Sequence, residues 1–299
     1  MTDYAQDLVF GSFVTPSARP PLRPVELAVL SERVGLDLVT FQDHPYQPAL
    51  QDAWTLMSFA AARTERIRIS GNVLNLPLRQ PAVLAHSAAT LDRLSGGRVE
   101  MGIGAGGFWD AIAGMGARRL TPGQSIQALE EAITIMRGIW AADERGGLTV
   151  EGEFHRTSGA KRGPAPAHDI GVWVGAYKPR LLRMVGRVAD GWIPSLPYLP
   201  DGPASLTEMS RHVDDAARAA GRDPAAVTRL LNIGGEFRRD SGGLLVGPPD
   251  QWAEELTDIA LVHGVSGFIM MGDDPTALEI FAREVAPRVR ELVAAERAA

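Results

Sequence analysis

The sequence predicts an α/β protein, a (β/α)8 TIM barrel read as a single domain over residues 1–299, with an insertion after the fourth helix. Short β-rich runs alternate with longer helical patterns, which is how βα units of a parallel sheet read. Eight such pairs can be counted, and a barrel uses about 250 residues on one core. A doubly wound open sheet with extra elements is the competing architecture; a count of eight favours closure.

In chain order, residues 8–14 form the first strand. A helix over 24–35 follows, with proline in its first turn and glycine at its end. Residues 36–41 are the second strand, and 52–64 a helix with Trp54, Met57 and Ala61 at helical spacing. A third strand of alternating branched residues covers 67–74 and precedes a helix over 81–94. The fourth strand is 99–103, and 125–140 is a long amphipathic helix with Ile126, Leu129, Ile133 and Met136 on one face. The rhythm then breaks: 143–169 includes a Gly-, Pro- and Ala-rich stretch, and this segment reads as the insertion. Strand 170–175, helix 179–188, strand 191–194, helix 205–220 and strand 227–236 resume the alternation. Helix 251–263, strand 267–271 and a helix from 275 to about 295 complete it.

The apolar fraction of 45% and charged fraction of 22% suffice for a large core. Thirty basic residues against 36 acidic ones give a net charge of -6, with the basic groups scattered. Nucleic acid is therefore not an expected partner. The absence of cysteine removes disulfides, thiolate metal sites and a cysteine nucleophile, and fits a cytoplasmic location. The N-terminal run 1–7 is polar, and no apolar stretch approaches the ~20 residues of a membrane span. His86, His155, His168, His212 and His263 lack metal-ligand spacing with carboxylates, so no metal is expected.

In a barrel the chemistry sits where strands hand over to the following helices. Phe41-Gln42-Asp43-His44-Pro45-Tyr46 follows the second strand and sets a carboxylate beside an imidazole, a group that moves protons near neutral pH. The alternative is that His44 closes a turn before Pro45. After the third strand, Gly71-Asn72-Val73-Leu74-Asn75 is either backbone approaching a flat ring or a buried strand with a polar kink. After the fourth, Gly102-Ile103-Gly104-Ala105-Gly106-Gly107 lets a ligand lie against the main chain, or simply turns tightly; its spacing is not a dinucleotide fingerprint. After the fifth, Gly175-Ala176-Tyr177-Lys178-Pro179-Arg180 leads into a helix whose first-turn N–H groups attract phosphate, unless it is only a solvated basic turn. The loop 108–121, with Phe108, Trp109 and Met115, and the segment 196–203, with Tyr198, are expected to line a pocket for an apolar or aromatic substrate.

Together the opening Phe10-Gly11-Ser12-Phe13, the block Leu91-Asp92-Arg93-Leu94-Ser95-Gly96-Gly97-Arg98 running into the glycine-rich strand end, and Ala189-Asp190-Gly191-Trp192 resemble the bacterial luciferase-like family. The resemblance covers residues 8–290 and implies a barrel holding coenzyme F420, a deazaflavin, or FMN at the strand C-termini. It implies Asp43 and His44 as the catalytic pair, with His44 moving the proton and Asp43 orienting it. Cofactor contacts fall on Ser12, Asn72, Val73, Gly104, Ala105, Gly106, Gly175, Ala176, Tyr177, Lys178 and Arg180, with a non-proline cis bond at Asn72-Val73. The implied reaction is hydride transfer between F420 and a small organic substrate. The alternatives are an FMN monooxygenase fed by a flavin reductase and a non-catalytic flavin-binding barrel; a homodimer is expected in each case. Two departures disfavour a sugar phosphate. Pro48 and Gly107 stand where relatives acting on sugar phosphates have Trp and Glu, and Ser195-Leu196-Pro197-Tyr198 lacks their Lys.

Overall fold

Eight parallel strands pair in the order in which they occur along the chain, and the last returns to the first. They are β1 (Val9–Val14), β2 (Leu38–Phe41), β3 (Arg68–Gly71), β4 (Val99–Gly104), β5 (Val172–Val174), β6 (Gly191–Trp192), β7 (Thr228–Ile233) and β8 (Gly267–Met271). Pairing of β8 with β1, and of β3 with β4, closes the ring. The computed structural model describes residues 3–299; Met1 and Thr2, the head of the polar N-terminal run, lie outside them. The helices around the ring are α1 (Arg23–Val34), α2 (Ala53–Ala61), α3 (Pro81–Ser95), α4 (Pro122–Trp140), α5 (Pro179–Val188), α6 (Ser205–Ala219) and α7 (Pro249–His263). The eighth, α8, runs from Pro275–Ile280 through a π turn, Phe281–Val285, into Ala286–Ala298. Among the described residues no helix is long and apolar enough to cross a membrane.

Local chemistry sets the helix ends. Asp52 accepts from Thr55 N and Gln80 from Val83 N, while Thr121 and Gln124 form a reciprocal capping box. That box starts α4 at Pro122, three residues before the helix start expected at Ser125. At the other end, Gly35 and Gly96 take left-handed φ values of +97° and +76°, a conformation that a side chain would strain.

The structure revises several boundaries. Strand 67–74 is interrupted: β3 stops at Gly71, the Asn72-Val73 bond is cis, and Leu74–Asn75 then pairs separately with β4. Strand 227–236 ends at Ile233, and Glu236–Phe237 pairs instead with Val246–Gly247. A short helix, Trp109–Gly114, lies in the loop after β4. Residues 143–169 contain an antiparallel hairpin, Leu148–Glu151 with Arg156–Ala160, forming its own sheet.

Two apolar layers hold the ring. Phe10, Val39, Phe41, Met101, Val174, Leu231 and Phe268 belong to the large layer between strands and helices. Alternate residues point inward, where Leu38, Trp173, Ile193, Leu230 and Ile269 fill the barrel, with Val9, Phe13 and Val73 packed on them. Phe13 and Val73 keep partial exposure and form part of the floor of the C-terminal mouth.

Candidate active site

The strand register brings the C-terminal ends together. Val14 pairs with Phe41, Phe41 with Gly71, Asn75 with Gly104, Ile103 with Val174, and Val174 with Trp192. The segments after β2, β3, β4 and β5 therefore open onto one mouth, as the sequence reading required.

At the end of β2 the two members of the Asp43-His44 pair part company. The Asp43 carboxylate is fully buried and accepts from Arg79 Nε at 2.9 Å, Arg79 Nη2 at 3.0 Å and Asn75 N at 2.9 Å. Arg79 also reaches Asp52 at 3.0 Å. This is the bidentate geometry that suits a guanidinium, and it leaves Asp43 committed to fixing the loop after β3. The expectation that Asp43 orients His44 is thereby corrected. His44 Nδ1 lies instead 2.7 Å from the Tyr46 hydroxyl, two residues on, and Nε2 has no hydrogen-bond partner among the described residues. Burial holds the His44 pKa below the ordinary histidine value, and the nearby Asp43 charge only partly opposes this. His44 is therefore a neutral imidazole at neutral pH. Its ring meets Tyr46 at 5.6 Å and Phe108 edge-on at 5.5 Å.

Behind the end of β3 lies a closed network of uncharged groups. Asn72 and Asn232 exchange two amide hydrogen bonds of 2.7 and 3.1 Å. Asn232 also donates to Ser195 Oγ at 2.9 Å, and Asn72 to Thr40 Oγ1 at 3.2 Å. Every member is buried, so these bonds fix the backbone on either side of the cis bond in place.

The cis bond carries Val73 across the mouth. A Cβ on Gly104 would stand 2.7 Å from Val73 Cγ2, and one on Gly175 would be 3.5 Å from the same atom. Val73 and these two glycines thus form a shelf of one apolar side chain and bare backbone, which a planar ring can approach closely. Beyond Gly175, Tyr177 accepts from Ser195 N at 2.9 Å and meets Tyr198 edge-on at 6.0 Å. The first turn of α5 has no side-chain cap, and Lys178 and Arg180 are exposed beside it, with Arg180 folded onto Gly123 at the head of α4.

Not every expected contact faces this mouth. Ser12 is fully buried with its hydroxyl 2.8 Å from Ser31 on α1, because the alternation that turns Phe13 inward turns Ser12 toward the helices. Ala105 and Ala176 likewise pack their methyl groups in the outer layer, and the Ala176 carbonyl accepts from Trp192 Nε1 at 2.9 Å. Trp109 packs beside Gly106, which also abuts Pro77, whereas Phe108 stands exposed over His44. Sequence reasoning missed Arg79, Asn232, Ser195, Thr40 and the role of Tyr46. Asn232 left one signal: it occupies an inward position among Leu230, Leu231 and Ile233.

Residues 9–234 match the family model described as luciferase-like monooxygenase. The chain is 32% identical over 240 residues to a protein of Rhodococcus erythropolis named F420-dependent glucose-6-phosphate dehydrogenase, covering 77% of this chain and 68% of the relative. A protein of the same name from Microbacterium testaceum is 27% identical over 311 residues, covering 96% and 90%. Among solved structures, an F420-dependent secondary alcohol dehydrogenase in complex with an F420-acetone adduct shares the fold. Its TM-score is 0.82 at 20% identity, over 95% of this chain and 99% of that one.

Proposed function

We propose that this chain, which belongs to the luciferase-like monooxygenase family, is an F420-dependent oxidoreductase that moves a hydride between the deazaflavin and an uncharged organic alcohol or carbonyl compound. The observation that carries the reading is the convergence of a neutral imidazole with the Val73, Gly104 and Gly175 shelf at one barrel mouth. The names of the sequence relatives support the deazaflavin.

The shelf fits a flat ring because Gly104 and Gly175 carry no side chain and let Val73 lie directly against their backbone. Val73, Gly104 and Gly175 would hold the ring, and the uncapped first turn of α5 with Lys178 and Arg180 would hold an anionic tail. The coenzyme, when bound, supplies the two-electron chemistry. His44 supplies or takes the proton at the substrate oxygen, and Phe108, Tyr177 and Tyr198 provide aromatic walls.

The charge distribution argues for an uncharged substrate. Of the guanidiniums on the loops after the strands, Arg79 is taken by Asp43 and Asp52, Arg119 by Asp110, and Arg238 by Glu236, and Arg118 lies over the Phe154 ring. Arg19 and Arg239 have no carboxylate partner among the described residues, so the segment beside Tyr177 decides the question. The segment 195–198 offers a hydroxyl and aromatic or apolar groups where a phosphate would need a cation.

Titration of the purified protein with F420 and, separately, FMN, following ring fluorescence, tests the cofactor. The expected result is saturable quenching of the deazaflavin; tight FMN binding with no deazaflavin response would make the protein a flavin monooxygenase instead. With F420 bound, neutral alcohols should be oxidised and glucose 6-phosphate should not, and preferential turnover of the sugar phosphate would overturn the substrate class.

A further inference from the structure

Among the polar contacts of the mouth, one touches the imidazole itself, the 2.7 Å approach of the Tyr46 hydroxyl to His44 Nδ1. We propose that Tyr46 is a positioning residue that fixes His44 as the Nε2–H tautomer and relays a proton to Nδ1 when Nε2–H protonates the substrate oxygen. This rests on the reading above, in which His44 is the proton-transfer group.

The direction of the contact follows from the phenol's proton. Burial and the Asp43 charge raise the Tyr46 pKa, so the phenol keeps its proton. At 2.7 Å from Nδ1 the protonated phenol is placed to donate to that nitrogen, and a neutral imidazole accepting there carries its own proton on Nε2. Nearby, the Asp43 carboxylate accepts from the backbone N–H of Asn75 and from Arg79. The ionisable groups around the imidazole are this paired Asp43, its partner Arg79 and Tyr46; Phe108, from the loop after β4, faces it with an uncharged ring.

The proton balance closes in the carbonyl-reduction direction, with the hydride coming from reduced deazaflavin. The Nε2–H bond breaks as the substrate O–H bond forms, the Tyr46 proton passes to Nδ1, and water returns a proton to the half-exposed Tyr46 oxygen. The pair is left as Nδ1–H with a free Nε2 lone pair, which is the base needed for alcohol oxidation. One dyad thus serves both directions, differing only in tautomer.

The test uses the full chain without cofactor, so that a failure of the cofactor reading leaves it intact. Nitrogen-15 imidazole spectra of His44, assigned by loss of its signals in His44→Gln, should show the Nε2–H tautomer in the wild type. In Tyr46→Phe, which keeps the ring contacts, the spectra should shift to a mixture of tautomers. With cofactor bound, Y46F should lose roughly 10- to 100-fold in kcat while the F420 Kd stays within about twofold. A wild-type imidazole already in the Nδ1–H form, or identical His44 spectra in wild type and Y46F, would overturn the proposal. So would a Y46F kcat within about twofold of the wild type.

Discussion

At the N-terminal end of the barrel, carboxylates knit the strand starts together. Asp37 accepts from Phe10 N and Arg290, Glu32 from the N–H groups of 65–67, Asp92 from Val99 N, Glu100 from Gly171 N, and Asp190 from Val172 N and Arg137. At the C-terminal mouth the same structural work is done by amides and hydroxyls around Asn72 and Asn232, and the ionised pair Asp43–Arg79 is closed on itself. Fixed charges make one end a rigid frame. Their pairing at the other leaves a neutral imidazole, aromatic rings and bare backbone to meet a ligand. This matches the general division of a barrel into a stability face and a catalytic face, and it says which substitutions should cost turnover and which should cost stability.

The largest expected effect is at the mouth. His44→Ala should lower kcat by roughly 100- to 10,000-fold, the range for losing a general acid or base. The F420 Kd and the thermal midpoint should barely change. Equal losses in binding and turnover would assign His44 to the frame rather than to the chemistry, and the contrast between the two ends would fail.

Next comes Arg98, the last residue of the Leu-Ser-Gly-Gly-Arg block. Its guanidinium is buried and donates to the carbonyls of Ala61, Thr64, Ile67 and Ser95 and to Thr64 Oγ1, all between 2.8 and 3.0 Å. These include the carbonyls left open at the end of α2. Arg98→Ala leaves several buried acceptors unpaired and should cost about 3 kcal/mol in urea unfolding. The kcat of the enzyme that remains folded should be unchanged. A stable variant with impaired turnover would place this block at the site.

That contrast also explains what the sequence could and could not reveal. The eight βα units were legible because period-2 and period-3.6 patterns record burial directly, and the Leu-Ser-Gly-Gly-Arg block that helps carry the family resemblance belongs to the frame. Strand-end positions located the mouth, but a strand end does not tell which way a side chain points. Ser12 and Asp43 lie at suitable chain positions, yet one turns to Ser31 and the other to Arg79. Arg79 and Asn232 lie 36 and 160 residues from the groups they bind, and no local pattern encodes such a pairing.

A smaller effect tests the shelf. An alanine at 104 would bring its Cβ to 2.7 Å from Val73 Cγ2, and the branched side chain must shift by some tenths of an ångström to accept it. Gly104→Ala should therefore raise the F420 Kd by about tenfold, near 1.4 kcal/mol, with little change in folding stability. Gly114→Ala, where a Cβ meets nothing within 4 Å, should leave the Kd alone. Equal affinity in wild type and G104A would remove the shelf from cofactor binding and leave the ring to be held elsewhere on the mouth.

The smallest effect separates the two ends by the sign of their pH dependence. Burial lowers the His44 pKa from its ordinary 6.5, so below that value the unfolded chain takes up a proton that the folded mouth resists. The His44 contribution is intact above about pH 6.5 and declines as pH falls toward the lower, folded value. Glu100, buried at the opposite end, has its pKa raised from 4.5 by desolvation, which outweighs the Gly171 N–H and Arg68. Its folded form takes up the proton more readily, so its contribution is intact below pH 4.5 and is lost as pH rises through the folded value. Relative to wild type, the thermal midpoint of His44→Ala should therefore improve as pH drops below 6.5, and that of Glu100→Gln should improve as pH climbs above 4.5. Solvent screening of the half-exposed imidazole keeps its shift small, so the opposite slopes are the test. Parallel slopes would mean that the mouth and the frame respond to protons alike, and the neutral imidazole assigned to His44 would have to be given up.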